Sequence, residues 1–158
     1  MQLIHTSPGK IEKIDEYGMF NDCLFFSLEP YYMTQARPVY TYSIEINEGK
    51  IISVGDLYDE EIISEIIEDL GEFALTEELD ESLAEKLLDG SKLICDLAPH
   101  DTMDYTEYSE YEWEIQRKQA RAAVNMGYEG CQGTDEQGTV YIIPMFGRES
   151  ELKLKSID

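Results

Sequence analysis

Apolar and polar positions alternate from Val39 to Ile46, with Tyr40, Tyr42, Ile44 and Ile46 on one side and Val39, Thr41, Ser43 and Glu45 on the other. That period of two predicts a half-buried strand. Residues 2–6 read as a shorter strand with Leu3 and His5 on one side, ended by the Ser7-Pro8-Gly9 breaker, and residues 23–28 as an extended segment after the turn-prone Phe20-Asn21-Asp22. Asn47-Glu48-Gly49-Lys50 supplies a turn from which residues 51–54 return as another strand. The period then changes. Ile62, Ile63, Ile66, Ile67 and Leu70 fall on one face at 3.6-residue spacing up to Gly71, and Leu79, Leu83, Leu87 and Leu88 repeat the pattern between Thr76 as N-cap and Gly90. Residues 105–111 mix Tyr with Glu without a period and read as a loop. A helix follows over 112–125, with Trp113, Ala120, Val124 and the stem of Arg117 as its stripe and Gly127 as its stop. Residues 128–134 and 139–145 form a hairpin about Asp135-Glu136-Gln137-Gly138, and residues 151–157 alternate as a last strand. The class this order predicts is α+β: a small, mostly antiparallel sheet with the helices gathered on one side.

Composition sharpens the picture. At 158 residues, with 42% hydrophobic and 11% aromatic residues, the chain has the material for one core and reads as a single domain over 1–158. No apolar run approaches the length of a membrane span, and the first residues lack the succession of a signal peptide, so the expectation is a soluble, cytoplasmic chain without a membrane partner. Cys23, Cys95 and Cys131 are too scattered for a disulfide framework or a zinc site and read as reduced thiols. The 34 acidic against 12 basic residues give a formal charge of −22, which opposes direct binding to a phosphate backbone and favours a partner with a basic surface.

Few residues offer chemistry. His5 ends the first strand beside the hydroxyls of Thr6 and Ser7, a position that suits a structural imidazole as well as an acid or base. Asp135 and Glu136 suit a tight turn as readily as a reactive centre. No GxSxG, phosphate loop or GxGxxG occurs, so the site has no nucleophile elbow and no glycine cradle for phosphates.

The two ends of the chain carry a resemblance. Leu3-Ile4-His5-Thr6-Ser7, Ile11-Glu12-Lys13-Ile14, Gly18-Met19-Phe20 and Cys23-Leu24-Phe25-Phe26-Ser27 resemble the opening of small ADP-ribosyltransferases of the diphtheria-toxin-like and poly-ADP-ribose-polymerase-like type. Trp113-Glu114-Ile115-Gln116-Arg117, Met126-Gly127-Tyr128 and Asp135-Glu136-Gln137-Gly138-Thr139 look like the closing half of the ADP-ribosyltransferase-type anti-CRISPR proteins that act on the type I-F surveillance complex. The acidic middle differs. The resemblance implies an ADP-ribosyltransferase-like fold, and cleavage of NAD at the nicotinamide–ribose bond with transfer of ADP-ribose to a host protein.

It also implies roles. Asp135 would stabilise the positive charge that grows on the ribose as nicotinamide departs, as glycosidase carboxylates do. Glu136 would orient a ribose hydroxyl or deprotonate the acceptor. His5 would bind the adenosine ribose, Thr6 and Ser7 the nicotinamide amide or ribose, and Phe20, Phe25 and Phe26 would form an apolar wall for the nicotinamide ring. Two departures stand out: Phe25-Phe26 occupies the place of the usual Tyr, and Asp that of the usual Glu. The implied target is a CRISPR surveillance-complex subunit with a basic surface, whose modification would add bulk and negative phosphates where DNA docks. The competing readings are an acidic nucleic-acid mimic that blocks such a complex without catalysis, and a transferase aimed elsewhere. A mimic gives His5, Phe25 and Asp135 no reason to meet in one cleft.

Overall fold

The computed structural model describes residues 1–16, 22–71, 77–97, 105–135 and 137–158, with backbone alone at 105–107. Its strands and helices run in the order β1 (Gln2–Ser7), β2 (Cys23–Phe26), β3 (Tyr40–Glu45), β4 (Ile51–Ser53), α1 (Glu60–Leu70), α2 (Glu81–Leu88), α3 (Ile94–Leu97), α4 (Tyr105–Asn125), β5 (Gly130–Asp135), β6 (Gly138–Pro144) and β7 (Lys153–Ile157). The fold is α+β, but the strands divide into two sheets rather than one: β1-β3-β7 and β2-β6-β5-β4. All pairings are antiparallel except β4 with β5.

The reason for two sheets lies in the apolar run Val140-Tyr141-Ile142-Ile143 of β6. Val140 and Ile142 join Cys23, Ile52 and Cys131 in a core shared with the helices, whereas Tyr141, Ile143 and Met145 join Leu3, Phe26 and Ile44 in a second core. The four-stranded sheet is therefore a middle layer, with the helices over one face and the three-stranded sheet over the other. A strand covered on both faces loses the polar alternation that marks a half-exposed one. In β3, Thr41, Tyr42, Ser43 and Ile44 are all buried.

Three local expectations need correction. Residues 51–53 do not return beside β3; Asn47 caps a single 3-10 turn through Gly49 N–H (2.9 Å), and β4 crosses to pair parallel with β5. That placement puts Ile52 in the helical core and Ile51 against the inter-sheet core. Residues 105–111 are the first turns of α4, not a loop. Tyr108 and Tyr111 pack on the helical core, and this tertiary burial supports a helix that the local pattern does not signal.

The buried stripe of α4 is also different. Val124 is 47% exposed, while Ile115, Lys118, Gln119, Ala122 and Ala123 are buried with Ala120. Alanines allow the helix to lie close to β5 and β6, and the two polar members are satisfied by partners. Gln119 Nε2 donates to the carbonyls of Leu88 (3.1 Å) and Leu87 (3.4 Å), closing the end of α2. Lys118 Nζ sits among Asp69 (2.6 Å), Glu114 (3.1 Å) and Glu65 (3.7 Å), and Arg121 pairs with Glu65 (2.7 Å), so the α1–α4 contact is ionic at its rim.

Helix starts follow capping chemistry: Asp59 accepts from Ile62 N–H (3.0 Å) and Asp80 from Leu83 N–H (2.8 Å). Asp80 is the cap of α2; Thr76, the residue expected there, lies outside the described residues. Among the described residues no helix is long and apolar enough to cross a membrane.

Candidate functional site

Where the two sheets meet, an isolated bridge joins β1 to the residue after β2, Ile4 N–H to Ser27 O (2.8 Å) and Ser27 N–H to Ile4 O (2.9 Å). A cleft of about 140 Å³ lies beside this junction. His5 and Thr6 of β1 and Phe25 of β2 line one side, and Asp135 and Gln137 from the β5–β6 turn another. Trp113 and Gln116 of α4, one helical turn apart, face the same space, as do Tyr31 and Met33 from the segment after β2. His5, Phe25 and Asp135, distant in sequence, thus converge on one cleft.

His5 is oriented by the backbone. Its Nδ1 lies 2.8 Å from the carbonyl oxygen of Phe25, and because a carbonyl can only accept, Nδ1 carries the proton. Nε2 is then an acceptor in the neutral ring. Burial pushes the imidazole pKa below its ordinary value, against a smaller upward pull from the Phe25 carbonyl. The ring also packs against Phe26 at 5.6 Å between centroids.

Asp135 closes β5 opposite Gly138, whose φ of +103° makes the tight turn feasible at that position. Both carboxylate oxygens are held by one residue: Gln137 N–H donates to Oδ1 (2.9 Å) and Gln137 Nε2 to Oδ2 (3.1 Å). The carboxylate is half-buried and remains part of the cleft wall.

The other expected residues divide. The Thr6 hydroxyl donates to the Tyr31 carbonyl and ties the Tyr31 segment to β1. Ser7 Oγ donates to the Gly9 carbonyl (2.7 Å) within its own turn and is not among the cleft residues. Phe26 is 1% exposed in the inter-sheet core, so it supports His5 from behind instead of presenting a ring to the cleft; strand alternation turns Phe25 one way and Phe26 the other. Phe20 and Glu136 lie outside the described residues. Trp113, Gln116, Tyr31, Met33 and Gln137 line the cleft in addition to the residues expected from the sequence. A Trp and a Gln three residues apart on an otherwise charged helix were the available signal. Cys23 also borders the cleft, and burial pushes its thiol up to about 12, which leaves it unreactive at neutral pH.

No curated protein sequence matches the chain. A solved structure described as "Crystal structure of an anti-CRISPR protein" matches 98% of this chain and 93% of its own at 21% identity and a TM-score of 0.53, a likeness of fold. The family model "Anti-CRISPR Type I-F ADP-ribosyltransferase AcrIF11" matches residues 1–148. The chain therefore belongs to the family of type I-F anti-CRISPR ADP-ribosyltransferases, enzymes that use NAD.

Proposed function

We propose that the cleft between β1, β2, α4 and the β5–β6 turn binds NAD, releases nicotinamide, and passes ADP-ribose to a basic subunit of a type I-F CRISPR surveillance complex. The observation that carries this reading is the convergence of His5, Phe25 and Asp135 on one cleft, for which an acidic mimic has no use.

The open cleft's volume, about 140 Å³, suits one aromatic ring, close to the roughly 150 Å³ cavity that takes benzene. Nicotinamide would occupy it against Phe25 and Trp113, and the remainder of NAD would extend past Tyr31 and Met33 at the mouth. In an antiparallel ladder alternate residues turn their backbone groups to the same side. Those of Thr6 therefore turn with those of Ile4, away from β3, which suits recognition of the nicotinamide carboxamide. The neutral His5 offers Nε2 as acceptor for a ribose hydroxyl. Loss of nicotinamide leaves positive charge on the ribose, and the Asp135 carboxylate, already fixed by Gln137, stabilises it without reorganising. Modification of a DNA-docking surface would place negative phosphates against incoming DNA.

The test is incubation of labelled NAD with purified type I-F surveillance complex, comparing wild type with Asp135→Ala for nicotinamide release and label on protein. Loss of both, by about 100-fold or more for a removed charge-stabilising group, is expected. Intact inhibition by Asp135→Ala without release or label would instead favour the acidic mimic.

A further inference from the structure

Beside the C-terminal end of α4 a tight turn presents an aromatic ring to solvent. Phe146 is 58% exposed, and with Pro144 and Val124 of α4, itself 47% exposed, it lines an open hollow of about 490 Å³. The turn is fixed on both sides of that ring. Met145 is fully buried in the inter-sheet core and its N–H donates to the Asp22 carbonyl (2.8 Å), while Arg148 N–H closes the turn on the Met145 carbonyl (2.8 Å). The Arg148 guanidinium is held by Glu129 (2.9 Å) and Glu151 (2.6 Å), and Gly147, at φ +71°, takes the left-handed position. The remaining position makes no demand for an aromatic residue, and Phe146 belongs to neither core. An aromatic side chain carried on an anchored backbone loses little freedom on contact, which is the property of an interface anchor.

The surrounding charge selects the occupant. Glu16 and Asp22 line the same hollow. Arg121, the cation among its lining residues, has both terminal nitrogens on Glu65 (2.7 and 3.1 Å), so carboxylates set the sign of the rim. Nucleic acid is repelled by such a rim, and so is a second copy of this chain at a charge of −22. An apolar centre within a carboxylate rim fits a protein surface on which an apolar side chain stands among Lys and Arg.

One helix turns the hollow and the His5 cleft the same way. Trp113, in the cleft, and Val124, in the hollow, are eleven residues apart on α4. That spacing is three turns plus about 20°, so both lie on one side of the helix, about 16 Å apart along its axis. A single partner can therefore span both. Resting on the NAD reading of the cleft, we propose that the hollow at Phe146 and Val124 is an exosite that docks the modified protein, holding an apolar side chain of its basic surface while the cleft acts at a separate point. The exosite sets affinity for the macromolecule and touches neither NAD nor the reacting atoms.

The experiment measures the Kd of the Asp135→Ala protein for purified type I-F surveillance complex, with and without Phe146→Asp. Steering alone would make an added carboxylate tighten binding to a basic partner, so a Kd raised about tenfold or more reports loss of the apolar contact. Phe146→Leu is expected to keep most of the affinity. In the otherwise unaltered enzyme Phe146→Asp raises KM for the complex by a similar factor, with nicotinamide release in the absence of acceptor within about twofold of wild type. Val124→Glu, at an exposed helix position, repeats the test should Phe146→Asp melt below wild type. An unchanged Kd in both variants overturns the exosite, as does absence of binding by the Asp135→Ala protein. A dimer of the chain alone, seen in sedimentation and dissolved by Phe146→Asp, also overturns it, because a second copy then fills the hollow. If wild type releases no nicotinamide, the NAD reading fails by itself, and the Kd series still decides whether the hollow docks the complex.

Discussion

At the residue scale, the most consequential contact is between neighbours: Gln137 holds both oxygens of Asp135 from two positions away. A carboxylate fixed in this way loses little entropy when positive charge develops beside it. Gln137→Ala is expected to lower kcat by about tenfold with KM for NAD little changed, because the interaction lost matters mainly in the transition state. Gln137→Glu puts a like charge against the same carboxylate in place of a donor, and kcat is expected to fall further than in Gln137→Ala. Steady-state kinetics on the two variants check this; an unchanged kcat in both would remove Gln137 from the positioning of Asp135. None of this was legible in the chain, since Asp-x-Gln is common in turns and becomes chemically pointed only when its carboxylate faces His5 and Phe25 across a cleft. The imidazole was legible as a candidate. Its tautomer was not, because the partner that sets it is a backbone carbonyl 20 residues away.

At the element scale, α4 links stability to the site. One side carries Trp113 and Gln116 to the cleft, and another carries Lys118, 3% exposed, into the carboxylates of Asp69, Glu65 and Glu114. Lys118→Met leaves those partly exposed carboxylates without their shared cation and is expected to cost about 2 kcal/mol, lowering Tm by roughly 4–8 °C. The pH dependence follows from Glu114. Burial pushes its carboxyl upward, but hydrogen bonds from Arg117 and Lys118 outweigh this and hold it below its ordinary 4.5. A depressed carboxyl contributes stability above its unfolded value that is lost as pH falls through its folded value. Wild type should therefore lose its advantage over Lys118→Met below about pH 4.5, a convergence of the two Tm curves measurable by calorimetry. The first helix was readable from period and its end from Gly71, whereas the N-terminal turns of α4 and its buried polar face were not. Periodicity counts apolar residues, and Lys118 and Gln119 are buried because other elements satisfy them.

At the scale of the whole molecule, a charge of −22 would steer the protein toward the basic partner proposed above. Steered association is screened by salt, so raising ionic strength from about 0.05 to 0.5 M should slow transfer to the surveillance complex by tenfold or more. Nicotinamide release without acceptor, which needs no encounter between macromolecules, should change far less, and parallel assays of the two rates check the difference. The sequence by itself determined the α+β class, the amphipathic helices, the terminal strands and the motifs at the two ends, because each rests on local spacing or on charge that no packing alters. Only the tertiary structure decided that the strands form two sheets, that β4 crosses to β5, that Phe25 faces the cleft while Phe26 faces the core, and that Trp113 and Gln116 line that cleft. These depend on which apolar surfaces meet, and a strand buried on both faces or a helix with a polar buried side gives no periodic sign of its partners.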